Sequence, residues 1–178
     1  MNELTLFLGR FHPLLVHFPI ALLLLAGVFE LRAWWAQRKK YIDRSRVVAE
    51  HSSSSVPSPG ESTGPVLALG AASALAAAGA GYLLSGSGGY GGPTFIWHER
   101  MGIAVAIGAS LTLSVWIAAR RSARRELATA VYRTLLATTI IVVTVAGHLG
   151  ATLTHGEGYL TEHVPSPMRG WLAPLPPR

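Results

Sequence analysis

Four stretches of this chain are each apolar for long enough to cross the hydrocarbon layer of a bilayer, which is about 30 Å thick. They cover about 13–35, 65–84, 101–119 and 131–154. Inside lipid every backbone polar group must find its partner within the structure, so only helices and closed barrels can span. The runs are continuously apolar, as in LLATTIIVVTVAG, rather than alternating, and this selects helices. The expected fold class is therefore all-α, a four-helix transmembrane bundle. With 50% of residues hydrophobic and 13% charged, the lipid bilayer is the first partner.

The net charge of +6 does not point to nucleic acid, because the cations lie in two blocks flanking apolar segments. One block is Arg32, Arg38, Lys39, Lys40, Arg44 and Arg46; the other is Arg120, Arg121, Arg124, Arg125 and Arg133. The opposite side keeps only Arg10, Arg100, Arg169 and Arg178. By the positive-inside rule the basic connections are cytoplasmic, which gives an N-out/C-out chain in the bacterial inner membrane with both termini periplasmic. The first span has no basic segment before it and is followed by a basic block, so it reads as a span rather than a cleaved signal peptide. The segment 36–64, with HSSSSVPSPGEST inside it, reads as a cytoplasmic linker. SGSGGYGGP at 85–93 reads as a tight turn, and 164–178 as a Pro-rich outer tail.

Six of the seven histidines, all but His51, gather towards the side with few cations. At about 1.5 Å per helical residue, His17 lies roughly 21 Å above Leu31 and His148 roughly 20 Å above Leu135. The same count puts His12, His98 and His155 at roughly 28–32 Å, the outer interface. His163 lies beyond. A deep pair and a shallow ring result. Intramembrane ionisable residues are functional by default, and neutral imidazole is the commonest side-chain metal ligand. With no cysteine in the chain, covalent haem and thiolate metal sites are excluded.

His17 and His148 are the expected axial ligands of a haem iron. Gly147 and Gly150 flank His148 and admit a flat macrocycle, although they serve close helix packing equally well. Arg10 and Arg100 sit at the rim, where they suit propionates. His155 with His98 or His12 could hold a second haem; the three together could hold Zn or Cu. Pro19 is expected to bend the mouth of the first helix. Glu30 is expected to snorkel or to pair with Arg32 or Arg121.

FHPLLVHFPIALLLLAG at 11–27 and GHLGATLTHGEGYLTEH at 147–163 resemble a predicted-membrane-protein domain often attached to planctomycete-type cytochrome c domains. The resemblance brackets all four spans. It implies electron transfer at the outer face of a membrane, with a c-type cytochrome or other redox-complex subunits as partner. The shape is also similar to four-helix cytochrome b proteins. The function expected from these readings is a b-type haem electron-transfer subunit, with a quinone as a further partner for which the sequence holds no motif. A His-ligated Zn or Cu site and a cofactor-free structural subunit of a respiratory or photosynthetic complex are the alternatives. No carboxylate is placed as a general base, so a carrier is expected rather than a stand-alone catalyst.

Overall fold

The protein is described by a computed structural model covering residues 3–47, 60, 62–159 and 162–165, with side chains in the first stretch described as far as residue 39. Among these residues it is all-helical, with no strand, and four helical segments are long and apolar enough to cross a membrane. The elements are α1 (Glu3–Gly9), α2 (His12–Leu15), α3 (His17–Val47), α4 (Thr63–Ser85), α5 (Pro93–Arg121) and α6 (Arg125–His155). The helices pack in a ring: α3 touches α4, α4 touches α5, α5 touches α6, and α6 closes against α3. The diagonals are α3 with α5 and α4 with α6. One end of the bundle collects the histidines and the other the arginines.

The first crossing is apolar from Glu3 to Lys39 but is broken twice, around Arg10–Phe11 and at Val16. The breaks trace to two prolines. Pro13 has no N–H for the carbonyl four residues back, so it is accommodated only in the first turn of a new helix, α2. Pro19 falls in the first turn of α3, where backbone donors have no intrahelical partner in any case. The His17 Nδ1–H donates to the Leu14 carbonyl (3.4 Å) across the second break. At the expected bend the helical hydrogen-bond ladder is interrupted twice while Phe11 and Val16 keep helical dihedrals, and α1 and α2 pack on α4.

The helices overrun the expected spans. α1 precedes the first of them, and Gly9 lets its backbone lie directly on α4: a Cβ there would stand 2.8 Å from the Leu84 backbone nitrogen. Gly9→Val is expected to lift α1 off α4, costing about 1–3 kcal/mol as overpacking does. Faster amide exchange over residues 3–9 is the readout, and unchanged exchange would show the contact to be incidental. The expected linker loses its first part to α3, which stays helical to Val47; residues 48–59 lie outside the described residues. α5 starts at Pro93, placing His98 inside the helix; the turn before it is only Gly86–Gly92, with Gly88, Gly89 and Gly92 at positive φ.

The core is built from small residues. Ala26, Ala71, Ala74, Ala77, Ala106, Ala109 and Ala146 are buried, with Leu23, Leu67, Leu136 and Val143 between them. Large apolar side chains such as Leu24, Leu25, Ile107 and Ile141 face outward. Lipid is as apolar as leucine, so helices associate by close van der Waals approach and place small residues at the contact. In the middle of the bundle the Thr112 and Thr139 Oγ1 atoms meet at 3.3 Å between α5 and α6, each hydroxyl donating to its own helix, at the Gly108 carbonyl (2.6 Å) and the Leu135 carbonyl (2.8 Å).

Candidate functional site

At the histidine end, His12 of α2 and His98 of α5 meet across the bundle, half-buried, with ring centroids 5.9 Å apart and planes at 76°. They come from one diagonal of the ring of helices and are held by the other. His12 Nδ1 is 2.9 Å from the Ala77 carbonyl of α4, and His98 Nδ1 is 3.0 Å from the Ala146 carbonyl of α6. A carbonyl only accepts, so in both rings the proton is on Nδ1. In the neutral form of each ring Nε2 is then the lone-pair nitrogen, available to a metal ion. Metal-ligating histidines almost always have their other ring N–H donated to a carbonyl, carboxylate or water in this way, which fixes the tautomer and raises the basicity of the ligand.

The same device occurs twice. A Cβ on Gly81 would come within 2.9 Å of the His12 ring, and one on Gly150 within 3.0 Å of the His98 ring. Each glycine follows the accepting alanine by four residues, one helical turn. The hairpin α2–α4 and the hairpin α5–α6 therefore each supply an imidazole, a carbonyl to orient it and a glycine to admit it. The two imidazoles thus have matching immediate surroundings.

This donor set has a definite count. Zinc takes three or four protein ligands, and no group of three His, Asp or Glu able to hold an ion occurs among the described residues. The expected three-histidine arrangement of His12, His98 and His155 is thus not assembled: the His155 ring stacks on Tyr159 at 4.5 Å. Two neutral imidazoles on facing helices suit the two axial positions of a haem iron, or a metal ion content with two nitrogens.

The expected deep pair is placed differently. His17 and His148 are both exposed. They stand near one level, since Gly147 packs towards Ile20 (a Cβ on this glycine would lie 3.6 Å from Ile20 Cδ1), but on the outward side of the α3–α6 seam. Neither enters the bundle interior. Gly147 therefore serves helix packing, while Gly150 admits His98. Arg10 is exposed at the end of α1; Arg100 is exposed and lies over the Trp97 ring at 5.8 Å. His163 is exposed, and His51 lies outside the described residues.

A second polar cluster closes the arginine end. Glu30 is 5% exposed and pairs with neither Arg32 nor Arg121. Its Oε1 accepts from Arg133 Nε (2.8 Å); its Oε2 accepts from the Gly60 backbone N–H (3.0 Å), Tyr132 hydroxyl (3.3 Å) and Thr63 hydroxyl (3.5 Å). The carboxylate thereby ties α3 to the start of α4 and to α6. The signal for it was present: Arg133 is the one charged residue in 131–154 and Glu30 the one acid in 13–35, and opposite charges inside spans seek each other. Gly81 and Ala77 carried no such signal among the alanines of α4. No family model, curated protein or solved structure matches the chain.

Proposed function

We propose that this chain is a membrane electron-transfer subunit carrying a b-type haem at the histidine end of the bundle, with His12 and His98 as axial ligands. The observation that carries the reading is the pair of facing imidazoles whose Nδ1 protons are both committed to backbone carbonyls. In the neutral rings this leaves each Nε2 to ligate a metal, with the two imidazoles 5.9 Å apart centroid to centroid. Haem iron supplies one-electron chemistry between its ferrous and ferric states. The chain supplies ligand orientation through Ala77 and Ala146, ring space through Gly81 and Gly150, and rim cations in Arg10 and Arg100 for propionates.

The two basic blocks support the cytoplasmic placement of the arginine end, which puts the site and both termini on the outer face. A c-type cytochrome or a larger redox complex is the partner on that face, and a membrane quinol is a suitable donor. A second reading, a bare copper ion, is favoured by one observation: the rings already meet at 5.9 Å centroid to centroid. Copper accepts imidazole nitrogen as a ligand, so a single ion is the smaller group that two rings this close could share.

The test is a dithionite-reduced minus oxidised visible spectrum of the detergent-purified protein, with metal analysis on the same sample. Haem b at one per chain is expected. Stoichiometric copper without haem would move the function to the second reading. A colourless, metal-free preparation that stays so after incubation with haemin and with copper would overturn both.

A further inference from the structure

We propose that the arginine end is a binding site for anionic phospholipid headgroups. The site is independent of the histidine pair. Seven cations at this end have exposed side chains: Arg32, Arg38 and Lys39 on α3, and Arg120, Arg121, Arg124 and Arg125 around the α5–α6 connection. Against them, among the residues at this end whose side chains are described, stands one exposed carboxylate, Glu126. Glu30 contributes nothing outward, because it is buried and engaged by Arg133.

The cations fall in two tiers. The Thr112–Thr139 contact sets the level between α5 and α6, so Arg120 stands beside Val131. The Glu30–Arg133 pair sets the level between α3 and α6, so Arg32 stands there too. Arg38 and Arg125 are each six residues further out, about 9 Å at a helical rise of 1.5 Å per residue. Two guanidinium groups are fixed by aromatic rings, Arg38 over Trp34 (4.5 Å) and Arg120 over Trp116 (4.9 Å). Such stacking orders the planar fork that matches phosphate geometry. Beyond the inner tier, Arg124 and Arg125 line an open depression of about 390 Å³ with Ala123, Glu126 and Leu127.

A topological signal alone needs charge, not this setting. The inner tier abuts outward-facing apolar side chains, Leu31, Ile117 and Val131. A ligand seated on these cations has hydrocarbon beside it, which a lipid can fill with its acyl chains and a free phosphate cannot. Juxtamembrane clusters of four to eight basic residues recognise anionic headgroups by this combination.

The experiment uses the full chain in neutral detergent. Diphosphatidylglycerol, phosphatidylglycerol, phosphatidylcholine and sodium phosphate are added at equal phosphate, and retained lipid is measured by native mass spectrometry alongside the thermal midpoint. Diphosphatidylglycerol and phosphatidylglycerol are expected to be retained and to raise the midpoint, and phosphatidylcholine not at all. Each cation contributes about fivefold, so the triple variant R121Q/R124Q/R125Q is expected to lose about a hundredfold in anionic-lipid affinity. Its unliganded midpoint should stay at that of the parent; if it fails to fold, R124Q/R125Q serves, with a loss of about twenty-five-fold. Equal retention of phosphatidylcholine, an unchanged preference in the variants, or equal protection by sodium phosphate would each overturn the proposal.

Discussion

His12→Ala and His98→Ala are each expected to abolish haem binding, leaving a folded, colourless protein. Each substitution removes one proposed axial ligand and with it the Nδ1 hydrogen bond to Ala77 or Ala146. The hydrogen bond is worth only about 0.5–1.5 kcal/mol, so the bundle should survive. The two variants should be equally defective, since the rings occupy equivalent positions in their two hairpins. His17→Ala and His148→Ala are the controls: both side chains are exposed, and both variants should keep the full spectrum. The measurement is haem per chain by pyridine haemochrome, with circular dichroism to verify folding. Pigment retained in both His12→Ala and His98→Ala, or lost in His17→Ala, would remove the axial assignment.

The largest loss of stability is expected from Glu30→Ala, about 3–5 kcal/mol, as when one partner of a buried ion pair is deleted. The truncation strands the Arg133 guanidinium, one of whose nitrogens (Nη2) is already buried without an acceptor. It also leaves the Gly60 N–H and the Tyr132 and Thr63 hydroxyls without the acceptor they share. Glu30→Gln keeps an acceptor for these donors and should cost less. A paired replacement, Glu30→Leu with Arg133→Met, should recover most of the loss, because replacing both members of a buried pair by apolar residues is often close to neutral. Unfolding in a denaturing detergent, read as a double-mutant cycle, gives the coupling directly. A Glu30→Ala protein within about 0.5 kcal/mol of the parent, the range of ordinary surface changes, would show that the cluster does not hold the helices together.

Four spans were legible because lipid imposes a length and a composition that few other contexts do. What was not legible was rotation. Counting residues gave His17 and His148 a common depth, and they do stand near one level, but depth says nothing about which way a side chain faces. In a soluble helix the apolar stripe would have answered that; here nearly every position is apolar and the buried stripe is marked by smallness instead. Pro19, Leu23, Ala26 and Glu30 face inward, whereas His17 shares its face with Ala21, Leu24 and Val28, which are exposed. On α6, His148 shares a face with Ala137, Ile141 and Thr144, likewise exposed. His12 was hidden for a different reason. Its depth reads as shallow and interfacial, although it lies seven residues before Pro19 and fourteen before Ala26 and so shares their inward face.

The repetition of one histidine, one carbonyl and one glycine in each hairpin has a consequence for how such a site can come to exist. Neither half of the chain owns the pair. Each half orients a single imidazole using only its own backbone, and the facing of the two arises at the moment the halves dock. A single hairpin of this kind would carry one oriented imidazole and would need a second hairpin to make the pair. The covalent link through Gly86–Gly92 then changes the stoichiometry of the site rather than its chemistry: it turns a meeting of two molecules into a property of one.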